Sequence, residues 1–478
     1  MAVVTRADVW SLATEDPILA YYGQAVQAMR AKPANDPTSW AYQAAIHGTY
    51  ATPAQPGWNE CRHGSWYFLP WHRAYLYCFE RIVRAQVVAL GGPASWALPF
   101  WDYGAGGTRN QLPMAFRAPT LLSGQPNALY VTGRRLTGAA GLPPSVTTSA
   151  FAMGRSQFTG AAEFGGGRTS PTNMFFGQTG RLEQTPHNDV HVMIGGWMGD
   201  PATAAQDPIF WLHHCNIDRL WWSWQETHAS SSDSQWANQA FSFFDADGTV
   251  VAKRARELED VALLGYTYPD VQPSGVLEAT DAGVVEWPKP WPKPSLDINM
   301  SRKRRAEDPG REIVGATDKT VTLRGQTEQV TVRVDARATE SLEGAVPVEE
   351  RQHRAFLDIE NVDAAENPAT VYGVYLNLPD TPTPQQLSAH HVGNVSLFGV
   401  ERIRSPAVDE QPHALRFSLE VTELLNQLAA NNEWKDGDKL DVTFRPVQLQ
   451  TEDGLEGIED TGHADIPIRI GRISVHYQ

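Results

Sequence analysis

The sequence is short of cysteine, of positive charge and of long apolar runs, and each shortage excludes something. Three cysteines (Cys61, Cys78 and Cys215) in 478 residues cannot build a disulfide framework. Lys and Arg number 39 against 55 Asp and Glu, a formal net charge of −16. Such an excess of negative charge argues against nucleic acid and anionic membranes as partners. No stretch approaches the roughly 20 apolar residues that span a bilayer. The opening segment MAVVTRADVWSLATED lacks the apolar core of a secretory signal, so a cytoplasmic location is expected.

Aromatic and imidazole side chains are what the sequence has in quantity. Hydrophobic residues make up 42% of the chain, as in a folded globular protein. Most of the 16 tryptophans precede residue 300. In that region helical patterns alternate with Gly/Pro-rich segments. DPTSWAYQAAIHG reads as a helix with Asp36-Pro37 near its start and His47 in its last turn. LPWHRAYLYCFERIVRAQVVAL reads as a long helix opened by Pro70, with Leu76, Phe79 and Val83 at helical spacing. TPHNDVHVMIGG has Thr185 as candidate N-cap, and DPIFWLHHCNIDRLWWSWQETH begins on Asp207-Pro208. Residues 104–182, rich in Gly, Pro, Ser and Thr, read as long surface loops. The domain boundaries expected are 1–285 for a mainly helical, four-helix-bundle domain, 286–316 for a Pro-rich then basic linker, and 317–478 for an all-β sandwich or barrel. The last rests on alternating runs such as QVTVRVDA, VYGVYLNL, KLDVTFRPV and IPIRIGRISVHYQ. One helical insert, TELLNQLAANNEW, interrupts them.

Eight of the 14 histidines lie in the first 228 residues, and seven of these sit on or beside the four helices. His187 and His191 are four apart and share a helical face. His213 and His214 are adjacent, so only one readily faces the same centre as the other rings. Imidazole clusters suit Zn, Cu, Fe or Ni. HExxH is missing, because Asn188 follows His187, and the helices lack the carboxylates of a di-iron bundle. Neutral imidazoles without a charged ligand best suit a pair of copper ions cycling between Cu(I) and Cu(II).

Two segments carry a family resemblance. His63 to Glu80, with FLPWHR inside it, resembles the first copper signature of the tyrosinase family, and DPIFWLHHCNID resembles the second. The group comprises tyrosinases, catechol oxidases and molluscan-type haemocyanins, which bind O2 between two coppers. The resemblance implies His47, His63 and His72 on one copper and His187, His191 and His214 on the other. It leaves His213 to orient a ligand or pack beside it, and Arg73 with Asp218 as an ion pair that holds two helices in register. Cys61-Arg62-His63 matches the C-x-H in which fungal tyrosinases and molluscan haemocyanins join sulfur to the imidazole. Glu183 and Asn188 match positions that together polarise a water to deprotonate a phenol. Val192 is then expected to shape the pocket mouth, and Pro201 to stand where plant enzymes place a bulky aromatic, leaving a more open site.

The second half resembles the C-terminal domain of latent plant polyphenol oxidases, which covers the copper site. On that analogy Leu397 or Phe398 is the entrance plug, and the basic run SRKRRAED is a cleavage segment. The function implied is oxidation of monophenols and o-diphenols to o-quinones by O2, with small phenols as partners. A pathway-specific o-aminophenol or catechol oxidase and a haemocyanin-like O2 binder are the alternatives. The oligomeric state is not legible.

Overall fold

The computed structural model describes residues 3–160, 162–169, 179–269, 312–317, 319–334, 354–400, 414–431, 433–434, 439–451 and 466–477. The chain divides into two compact units. The first takes residues 1–276 and 448–459, the second 277–447 and 460–478.

The first unit is built on helices α1 (Pro17–Arg30), α2 (Trp40–His47), α3 (Phe68–Ala89), α4 (Asp189–Ile194) and α5 (Pro208–Gln225). Their starts are set locally. Asp16, Ser39 and Asp207 each accept a backbone N–H of the first turn, and Pro17 and Pro208 occupy the first helical position. The long helix begins at Phe68, two residues before Pro70, which is tolerated because first-turn N–H groups have no helical acceptor. Leu76, Phe79 and Val83 are buried on its inner face.

The segment carrying His187 is kinked: Thr185 is extended, at φ −136° and ψ 122°, and separates the turn at Glu183 from the helical turn that starts at Pro186 and runs into α4. The Thr185 hydroxyl donates to Asp189 Oδ2 at 2.6 Å. The described residues of 104–182 carry only short helical turns such as Pro144–Thr147 and Ala150–Met153, and while Met114, Leu121 and Leu122 are exposed, others are not superficial. Leu112, Phe116, Leu136, Leu142, Val146 and Phe164 are buried, so apolar packing outweighs the turn-rich composition. Gln450 also exchanges backbone hydrogen bonds with Gly141 (2.8 and 2.9 Å), so a short piece of the second half of the chain belongs to this unit.

The second unit holds strands β1 (Glu312–Thr317), β2 (Val321–Leu323), β3 (Glu328–Val334), β4 (Ala355–Asp363), β5 (Tyr372–Leu376), β6 (His391–Val395), β7 (Leu415–Glu420), β8 (Lys439–Pro446) and β9 (Ile468–Tyr477). They form one antiparallel sheet in the order β6-β5-β8-β3-β1-β9-β4-β7, with β2 also paired to β9. The end strands β6 and β7 lie against each other, which nearly closes the sheet into a barrel. Alternation explains its core: Val330, Val332 and Val334 point inward from β3 and the residues between them outward. The helical insert is Thr422–Ala430. Strand β1 begins inside the segment expected to be linker, while the rest of that segment, SRKRRAED included, lies outside the described residues. Leu397 is packed into the barrel core and so is not an outward plug; Phe398 is also buried.

Candidate metal centre

His47 is the last residue of α2, where Gly48 turns the chain into extended backbone. His72 lies one turn into α3, and His63 precedes that helix on a loop. His187 and His191 project from the helical segment that follows Thr185 and includes α4, and His214 from the second turn of α5. The sequence separations are large, yet the rings converge. The donor atoms of His47, Cys61, His63 and His72 lie within 4.8 Å of one another, and so do those of His187, His191, His213 and His214. The two groups meet where His72 stacks on His214, centroids 4.5 Å apart and planes at 13°. Phe68 lies 4.6 Å from the His187 ring and Phe210 4.1 Å from that of His214, closing the site with apolar edges.

Hydrogen bonds to the other ring nitrogen decide which atom is left for a metal. Nδ1 of His47 meets Pro201 O, that of His72 meets Phe68 O, and that of His191 meets Met198 O, each at 2.8 Å. A carbonyl oxygen can only accept, so each Nδ1 carries the proton and each Nε2 keeps its lone pair. His187 Nδ1 is likewise 2.8 Å from Asn188 Oδ1. The Nε2 atoms of His191 and His214 are 3.2 Å apart, two neutral donors facing one point. Burial reinforces neutrality: it pushes His187 down to about 3 and His72, His191, His213 and His214 well below the ordinary imidazole value. Neutral, pre-oriented Nε2 lone pairs, with no carboxylate in either group among the described residues, are a donor set that fits copper.

Cys61 Sγ is 3.4 Å from His63 Nδ1 and 3.7 Å from its Nε2. It is also 3.4 Å from His72 Nε2. His213 is buried in the second group, and neither of its nitrogens has a hydrogen-bond partner among the described residues.

Glu183 is buried, and its Oε1 accepts the Gly64 N–H at 2.7 Å. Gly64 sits at φ +64°, where a side chain would be strained, and this turn presents the N–H beside His63. Burial pushes the Glu183 carboxyl up to about 8, opposed by the backbone N–H groups of Gly64 and Ser65. Its Oε2 has no hydrogen-bond partner among the described residues. The Asn188 oxygen accepts from His187 Nδ1, and its NH2 is left to donate to another group.

Val192 and Pro201, expected at a pocket mouth, are both buried. The Pro201 carbonyl faces His47 Nδ1, and Val192 O accepts from Arg135 at 3.3 Å.

Arg73 and Asp218 are hydrogen-bonded, but as part of a larger buried network. Arg6 donates to Glu80 at 2.8 Å and to Asp218 at 3.1 Å, and Tyr266 and Tyr268 donate to Asp218 at 2.7 and 2.6 Å. Arg73 also lies 3.6 Å over the Trp221 ring. Arg6, the two tyrosines and the carbonyls of Phe68, Met198 and Pro201 were not foreseen. The paired tyrosines around Thr267 were the available signal; the carbonyls leave none in a sequence.

Two facing groups of buried, neutral imidazoles on a helical scaffold define a histidine-ligated dinuclear metal protein. The family described as the common central domain of tyrosinase matches residues 37–174 and 153–227. The polyphenol oxidase middle domain matches residues 231–276, and a domain family of unknown function matches 310–478. A tyrosinase of Hahella sp. (strain CCB-MM4) is 32% identical over 99% of both chains. Polyphenol oxidase A1 of Vicia faba is 30% identical over 54% of this chain and 46% of its own. Latent apple tyrosinase shares the fold across 100% of this chain and 97% of its own, with a TM-score of 0.63 at 21% identity. The chain belongs to the tyrosinase and polyphenol oxidase family of copper oxidoreductases, and its two histidine groups fit a dinuclear copper centre.

Proposed function

We propose that the protein oxidises monophenols and o-diphenols to o-quinones with O2, one copper being held by His47, His63 and His72 and the other by His187, His191 and His214. The observation that carries the reading is the set of forced tautomers, which turns Nε2 lone pairs from separate helices to a shared centre. Copper supplies O2 binding and the two-electron change; the chain supplies orientation, dryness and proton handling. A monophenol must lose its proton before it can bind a metal as phenolate. Glu183, whose buried Oε2 has no hydrogen-bond partner among the described residues, accepts that proton through a water. The Asn188 NH2 steadies the water while its oxygen steadies His187.

The test is O2 uptake with tyrosine, catechol and an o-aminophenol, before and after limited proteolysis. Glu183→Gln is expected to lower tyrosine turnover by about 100-fold while catechol turnover stays within severalfold. Equal losses on both substrates would remove Glu183 from the deprotonation step. Oxygen bound reversibly without turnover of any phenol would sink the oxidase reading, and turnover confined to the aminophenol would leave a specialised oxidase. The solved relatives titled latent support a further expectation, that cleavage near SRKRRAED raises the rate.

We also propose that Cys61 is joined to His63 through Sγ and Cε1. The near-equal distances from the sulfur to both ring nitrogens suit that bond, since Cε1 lies between them. Joining them releases two protons and two electrons, the electrons passing to two Cu(II) ions. Mass mapping of the copper-loaded protein should show the peptide lighter by two hydrogen atoms, and Cys61→Ser should restore the unlinked mass of His63; an unmodified wild-type peptide would rule the bond out.

A further inference from the structure

Two histidines, one from each group, are held by the same short loop. The acceptors of the His191 and His47 Nδ1 protons are Met198 O and Pro201 O, with only Gly199 and Asp200 between them. Asp200 organises that interval. Its Oδ1 accepts the Ala202 N–H at 2.8 Å, closing a turn across Pro201. Its Oδ2 accepts the Tyr50 hydroxyl at 2.9 Å, three residues beyond His47. Its carbonyl accepts from Thr203 and Ala204 at 3.0 and 2.8 Å, and the Thr203 hydroxyl donates to Trp197 O at 2.9 Å. The start of the loop is equally constrained: Gly196 is at φ +57°, and a Cβ there would meet Gly133 O at 2.7 Å.

We propose that Asp200 is a positioning residue that couples the two halves of the metal centre. By holding the Met198 and Pro201 carbonyls as one rigid acceptor pair, it sets the ring orientations of His191 and His47 together. The inference rests on the reading of His47 and His191 as copper ligands. Losing a partner that orients a metal ligand typically weakens metal binding by about 10- to 100-fold. Here both carbonyls ride on one turn, so loosening it reaches both ions. A turn that merely stabilised the surface would leave copper affinity untouched.

The full-length protein and its Asp200→Ala, Asp200→Asn and Tyr50→Phe variants should be titrated with copper against a competing chelator. Cu(II) electron paramagnetic resonance spectra and thermal midpoints of the metal-free forms complete the comparison. Asp200→Ala is expected to bind both coppers about tenfold more weakly, with altered hyperfine splitting and an unchanged metal-free midpoint. Asp200→Asn should stay within about twofold of wild type, because its Oδ1 still accepts from Ala202, and Tyr50→Phe should lose about two- to threefold. Wild-type copper affinity and spectrum in Asp200→Ala, or weakening of one copper alone, would overturn the proposal. Should that variant fail to fold, Tyr50→Phe decides: its side chain is 64% exposed, and unchanged affinity there also overturns the coupling. His47→Ala and His191→Ala separate the two readings. If each loses a copper while Asp200→Ala matches wild type, only the coupling fails. If each still binds two coppers normally, the ligand reading itself fails.

Discussion

Asp218→Ala is expected to lower the unfolding free energy by about 3–5 kcal/mol, the usual result of removing one partner from a buried charge network. Asp218 is the point where four groups meet. Arg73 donates to Oδ1, and Arg6, Tyr266 and Tyr268 converge on Oδ2. Without the carboxylate two buried guanidiniums remain, with Glu80 neutralising only Arg6 directly while also engaged by Arg84 at 2.5 Å. Burial alone would raise the Asp218 carboxyl, but Arg73, Arg6 and the Tyr268 hydrogen bond hold it below the ordinary carboxylate value. A carboxyl lowered in the folded state contributes its stability above the unfolded value of about 3.9 and loses it as pH falls through the folded one. Urea unfolding of wild type should therefore steepen in its acid dependence below about pH 4, and the variant should lack that component. Because Arg73 follows His72 and Asp218 lies one turn beyond His214, the variant should also lose oxidase activity. A change below about 1 kcal/mol would show that the network relaxes around the missing group.

His214→Ala should lose copper from the second group and lower O2 uptake by more than about 100-fold, beyond what an outer partner costs, with the fold retained. The ring faces His191 Nε2 at 3.2 Å and stacks on His72 of the other group, so its removal opens both halves. His213→Ala is the paired measurement. His213 is in the same cluster, but the inward-facing contact belongs to His214. Two coppers per chain are expected in His213→Ala and fewer in His214→Ala, counted by metal analysis. The reverse pattern would exchange the roles of the two neighbours.

Much of the scaffold was legible because its signals are local. Asp207 and Ser39 cap helices that the sequence marks plainly, and the four-residue spacing of His187 and His191 needs nothing beyond helical period. The alternation in QVTVRVDA carries over into the burial of β3. Where local rules failed, a distant contact had prevailed. Pro201 was read by the size of its side chain, whereas its carbonyl is what reaches His47. The Gly/Pro-rich segment reads as surface, yet it buries Phe116, Leu136 and Phe164.

The sequence by itself determined the donors: which residues carry imidazoles and which helices present them. Capping, helical period and strand alternation act over a few residues, so they survive in a one-dimensional reading. Tertiary structure decided the rest: that rings separated by as many as 167 positions, His47 and His214, share one dry centre, and which nitrogen each turns inward. Those outcomes depend on desolvation and on backbone carbonyls delivered by loops, and every residue carries the same carbonyl. Only the folded chain distinguishes Met198 and Pro201 from their neighbours.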